Sequence, residues 1–199
     1  MDLLDITVDE MYFERALPAP VAALIEEASE RYAEDADGAE QCLARARFLA
    51  PDDLSVLVAQ YRFFFYRHRC EDALAVAERC IAAAARELGI DEDWRRLDDA
   101  RFGHAVQQSM PMTRFLLLAL KGTGYLLLRL NRPAEARARL ERTVAFDQKD
   151  RLGAAVLLRW ADDALAREQA AASGGKVRWI RASQQSEKPQ APTSQTEPS

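Results

Sequence analysis

The stretch Gly38-Ala39-Glu40-Gln41-Cys42-Leu43-Ala44-Arg45-Ala46 decides the reading of this chain, because a similar text returns twice. The second copy is Asp72-Ala73-Leu74-Ala75-Val76-Ala77-Glu78-Arg79-Cys80, in which Ala73 answers Ala39. Glu135-Ala136-Arg137-Ala138-Arg139-Leu140-Glu141-Arg142-Thr143 is the third. The step from Ala39 to Ala73 is a period of about 34 residues, the length of a helix–turn–helix unit, and such units bury a continuous core only by stacking. The same step would put the third alanine near position 107, and it stands instead at Ala136. The spacing therefore predicts two contiguous units, an insertion at about residues 89–112, and a third unit.

Composition fits an all-α chain. Ala, Leu, Arg and Glu dominate, and 199 residues hold only 8 Gly and 8 Pro. That length is enough for one domain with a sizeable core. The apolar run Phe115 to Leu120 is cut by Lys121, far short of the roughly 18 residues that span a bilayer, so no membrane partner is expected. Met1-Asp2-Leu3-Leu4-Asp5 lacks the basic start and apolar core of a signal peptide, which points to the cytoplasm. A formal net charge of −5 argues against a general nucleic-acid binder, whose footprint is basic.

Along the chain, residues 1–19 form an extension with apolar Met11-Tyr12-Phe13 and Leu17 ahead of Pro18 and Pro20. Pro20 suits a first helical turn, where its missing N–H costs nothing. Val21, Leu24, Ile25, Ala28 and Tyr32 then make a helical stripe, broken at Asp35-Ala36-Asp37-Gly38. Further helices are expected from about Gly38 to Leu49, Leu54 to Arg67, and Glu71 to Leu88, where Gly89 caps the end. In the insertion, Asp91 starts a short helix, Glu92 to Arg101, that Phe102-Gly103 stops. Residues from His104 to Met112 show no clear period. Thr113 caps a helix to Leu130, Asn131-Arg132-Pro133 turns the chain, and a last helix, Leu152 to Ala171, covers the open end. Residues 173–199, rich in Ser, Gln, Pro and Thr, are expected to be a disordered tail.

These residues resemble the tetratricopeptide-repeat (TPR) family over roughly residues 20–170. The best unit, Leu117 to Asp150, has small Gly124 in its first helix, the Asn131 turn, Ala136, Leu140 and the ending Asp147-Gln148-Lys149-Asp150. The first unit, about Pro20 to Asp53, offers Ala39, Leu43, Ala46 and Pro51. The second, about Leu54 to Leu88, offers Ala73, Ala77 and Cys80 but places bulky Tyr61 where a small residue is typical. An Ala-rich helical bundle would share part of this pattern; the step from Ala39 to Ala73 and the Asp-x-x-Asp ending favour the repeat. The resemblance implies a stack of about three helix pairs with a capping helix, acting as a protein-binding adaptor, assembly factor or chaperone rather than an enzyme.

In such a stack the first helix of each pair lines the concave face. The resemblance puts Arg31 and Tyr32, then Arg62, Phe65 and Tyr66, then Lys121, Tyr125 and Arg129 on that face. Arg and Tyr make good interface anchors, so the expected partner is a protein or peptide with acidic and apolar groups. The alternative for these residues is packing between units by the aromatics and solvation of the cations. The family's dicarboxylate clamp is absent, its places being held by residues such as Ala59, Leu118 and Gly122.

The insertion is the second candidate surface. It carries Trp94, Phe102, His104, Met110 and Met112, and Trp94 is either a contact for a partner or an anchor for the short helix. The rival to a binding role is an enzyme, or a protein handling a cofactor or metal, that uses the insertion with His104 and Cys42, Cys70 and Cys80. The cysteines form no C-x-x-C pair, nothing at ligand spacing joins His68 and His104, and no phosphate loop or nucleophile elbow is present. No cofactor or metal is therefore expected. The basic segment Lys176-Val177-Arg178-Trp179-Ile180-Arg181 is a third candidate contact.

Overall fold

The computed structural model describes residues 16–174. Met11-Tyr12-Phe13, the Lys176–Arg181 segment and the expected disorder beyond Gly174 lie outside the described residues. Among the described residues there are eight α-helices, one 3-10 turn and no strand. The helices are α1 (Ala19–Arg31), α2 (Ala36–Leu49), α3 (Leu54–Tyr66), α4 (Cys70–Glu87), α5 (Asp99–Gln108), α6 (Met110–Arg129), α7 (Pro133–Phe146) and α8 (Ala154–Gly174). α1 pairs with α2, α3 with α4, and α6 with α7, while α4 lies along α6 and α8 along α7.

The repeated alanines sit where helices touch. Ala39, Ala73 and Ala136 are each 0% exposed, and Leu43, Ala77 and Leu140, one helical turn on, are buried beside them. A Cβ added to Gly124 would stand 2.7 Å from Leu140 Cγ, so only glycine lets α6 approach α7 this closely.

The turns repeat as well. α3 ends with His68 at φ 58° and α6 with Asn131 at φ 55°. In each, a second N–H reaches back to close the same cap: Arg69 to the Phe64 carbonyl at 2.9 Å, Arg132 to the Leu127 carbonyl at 2.8 Å. Arg69 then pairs with Asp72, and Arg132 with Glu135, each at 2.7 Å. Both arginines also reach the preceding pair, Arg69 to Glu40 and Arg132 to Glu71. Arg79 donates to the Pro51 carbonyl at 2.8 Å, and Arg142 to the Leu97 carbonyl at 2.8 Å. His68 and Asn131, Arg69 and Arg132, and Arg79 and Arg142 are all separated by the same step as Ala73 and Ala136.

The insertion differs from expectation. Trp94–Arg96 forms a single 3-10 turn. The helix begins instead at Asp99, capped by the Asp98 carboxylate accepting from Arg101 N at 2.8 Å, and runs through Phe102-Gly103 to Gln108. Gly103 does not break it. Likewise α6 starts at Met110, capped by Ser109, and not at Thr113. Pro111 falls in the first turn, where its ring is tolerated. Thr113 is buried and donates to the Ser109 carbonyl at 2.7 Å. α8 continues through Ser173 and Gly174, where the tail was expected to begin.

Candidate functional site

The apolar stripe of α1 divides in two. Val21, Leu24 and Ala28 are buried, whereas Ile25 and Tyr32 are only half covered. The reason is that α3 packs on α4 but barely meets α1. What remains between α1 and α3 is a cleft of about 320 Å³. Ile25, Ala28, Ser29 and Tyr32 form one wall, and Ala59, Arg62, Phe63 and Tyr66 the other, with Leu43 between them. Tyr32 meets Phe63 edge-on with ring centroids 6.0 Å apart.

The aromatic surface continues toward the third pair. Phe65 packs edge-on against Tyr66 at 5.5 Å and reaches Tyr125 of α6 at 6.2 Å. The Arg129 guanidinium lies 6.0 Å from the Tyr125 ring centroid and donates to the Tyr125 hydroxyl at 3.2 Å. The hydrogen bond to that hydroxyl raises the Arg129 pKa above its ordinary value. Six of the sequence-predicted residues, Tyr32, Arg62, Phe65, Tyr66, Tyr125 and Arg129, thus fall along one connected aromatic and cationic surface. Sequence reasoning missed Ile25, Ser29, Ala59 and Phe63. Their only signal is helical register: Ser29, Ala59 and Phe63 each lie three positions before Tyr32, Arg62 or Tyr66, and Ile25 lies two turns before Tyr32.

Three predicted residues stand elsewhere. Lys121 is 8% exposed within α6, the helix enclosed by α4 and α7, and so is not an open groove cation. Arg31 is engaged by Glu27 at 2.7 Å and Asp35 at 3.2 Å and does not line the cleft. Trp94 is also 8% exposed. Arg139 covers its ring at 5.3 Å and Arg95 at 4.7 Å, which makes it the anchor of the insertion on α7. Phe102 stacks on Phe146 at 4.5 Å and fixes α5 to the same helix.

A second exposed apolar patch has no counterpart among the sequence expectations. Phe48 is 86% and Leu49 55% exposed at the end of α2, beside Arg45 and Arg47.

Burial pushes the Cys80 thiol up to about 12 and raises that of Cys42, with Glu27 adding to the latter. Neither is a ready nucleophile near neutral pH. His104 is exposed on α5. Among the described residues no group of three or more His, Cys, Asp or Glu is placed to hold a metal ion, and no helix is long and apolar enough to cross a membrane.

No protein-family model matches the chain, and no solved structure matches it. Over 158 residues it is 44% identical to the "Uncharacterized 19.8 kDa protein in nifW 5'region" of Azotobacter chroococcum mcd 1, an alignment covering 79% of this chain and 87% of that protein. At that identity and coverage, the chain belongs to the same family as the 19.8 kDa protein of the nifW region.

Proposed function

We propose that this chain is a TPR-like binding module that recruits a partner protein through the cleft between α1 and α3. The pairs α1/α2, α3/α4 and α6/α7 are its three units, and α8 is its cap. Support for the repeat comes from the buried alanines and from the turns and arginines that recur at the step from Ala73 to Ala136.

The cleft carries the functional reading. Apolar Ile25, Ala28 and Phe63 can take an aliphatic or aromatic side chain, while Arg62 and the tyrosines supply charge and directed hydrogen bonds. An acidic segment with apolar side chains fits that mixture. The module acts as a cytoplasmic adaptor, assembly factor or chaperone, and its reading is binding rather than catalysis.

The relative's name places its gene in the 5′ region of nifW, so the nifW product is the first partner to try. Co-expression followed by size-exclusion chromatography tests this directly. A stoichiometric complex lost on Arg62→Glu and kept on Phe48→Ala is the expected result. A complex indifferent to Arg62→Glu would place binding outside the cleft.

A further inference from the structure

Residues 1–15 carry the chemistry that this cleft suits. They hold Asp2, Asp5, Asp9, Glu10 and Glu14 against Arg15 alone, interleaved with apolar residues that include Tyr12 and Phe13. They are joined through Ala16, Leu17 and Pro18 to α1, whose Ile25 and Ser29, with Tyr32 just past its end, make one wall of the cleft. Leu17 is half-buried and already packs against the core at that end. The 13 residues of α1 rise about 20 Å. An extended segment as long as residues 1–15 spans up to about 50 Å, enough to double back along the wall.

We propose that residues 1–15 are a built-in ligand of the α1–α3 cleft, which a partner's acidic, apolar segment must displace. The inference rests on the cleft reading given above. Its physical basis is tethering. A short linker gives the segment an effective concentration on the order of 1 mM, so even a millimolar contact is about half occupied. Carboxylates complement Arg62 in the cleft and Arg129 beyond it, and apolar side chains complement the Ile25 and Phe63 surface. The consequence is a threshold: weakly acidic or purely apolar segments do not displace a tethered competitor. The Phe48–Leu49 patch with Arg45 and Arg47 is the rival resting place for the same residues.

The test uses the full chain without any partner. A photo-reactive benzoylphenylalanine replaces Tyr66 in one variant and Phe48 in another, and cross-links are mapped by mass spectrometry. The expected result is cross-linking from position 66 to residues 1–15 of the same molecule, several-fold above that from position 48. The proposal is overturned if position 66 reaches none of residues 1–15, if position 48 dominates, or if links join only isotopically distinct copies.

A second measurement uses a labelled synthetic peptide of residues 1–15 as the probe. It should bind the full-length Asp9→Asn/Glu10→Gln/Glu14→Gln variant up to about twofold more tightly than wild type, because a tethered competitor that fills about half of the clefts is weakened. Equal affinities contradict the proposal. A partner recruited through Arg62 in a chain that does not cross-link would remove the built-in ligand and leave the cleft reading standing. Cross-linking in a chain that recruits no partner would support the built-in ligand and remove the adaptor reading.

Discussion

Between α4 and α6 the helices lie along one another, whereas α1 only touches α3 at its margin. The first junction joins helices of 18 and 20 residues, and the second joins helices of 13 and 13. At the closed junction Ala77 and Cys80 of α4 and Phe115, Leu118 and Ala119 of α6 are all buried. At the open one, Ile25, Tyr32 and Ala59 remain half covered. Both junctions use the same kind of apolar helix face, so what separates them is whether the next helix arrives. On the function proposed above, the binding surface is the apolar face that the neighbouring helix leaves uncovered.

The largest expected effect sets these two places against each other. Ala136→Leu should overpack the α6–α7 crossing and cost about 1–3 kcal/mol in chemical denaturation. Ala59→Leu, which projects toward open space in the cleft, should stay within about 0.5 kcal/mol. Equal losses would mean that the cleft closes in solution.

A smaller effect separates the pairs α3/α4 and α6/α7 from the pair α1/α2. Arg142 donates to the carbonyls of Leu97 and Arg95 at 2.8 and 3.2 Å. Arg142→Ala should therefore cost about 1–2 kcal/mol. Arg45, at the matching place in α2, is exposed, and its replacement by Ala should cost less than about 0.5 kcal/mol. Thermal melts of both variants check the contrast.

Smaller still is the turn comparison. His68 holds φ 58°, a left-handed conformation that burdens a residue with a Cβ, while Asn131 at φ 55° tolerates it better. His68→Gly should gain about 0.5 kcal/mol once the added freedom of the unfolded chain is offset, and Asn131→Gly should gain nothing measurable. A loss at both positions would show that side-chain contacts outweigh backbone strain there.

The last contrast leaves stability unchanged. Half-exposed Cys70 should react with a thiol reagent at pH 8 well before buried Cys80 and Cys42, whose thiols are raised by burial. Uniform rates would indicate that α2 and α4 open readily.

Much of the fold is legible in the sequence because alanine periodicity and turn residues are local signals. Ala39, Ala73 and Ala136 announce the crossings, and Gly89 announces the end of α4. The insertion misleads because Gly103 and Pro111 are breakers only in context: an exposed helical turn tolerates the glycine, and a first turn tolerates the proline. The cleft is half legible. Its residues share a helical register, but nothing local says that α1 and α3 stay apart. Lys121 shows the converse: a charge on the expected face is buried because α4 and α7 enclose the helix that carries it. Trp94 likewise can be placed only once Arg139 is seen across its ring.

The most direct test of the cleft as the functional surface is hydrogen exchange followed by mass spectrometry, on the chain alone and in complex with its partner. Slowed exchange is expected in residues 25–32, at the end of α1, and in residues 59–66 of α3, with residues 94–108 of the insertion unchanged. Protection confined to the insertion, or to the end of α2 around Phe48, would contradict the cleft reading.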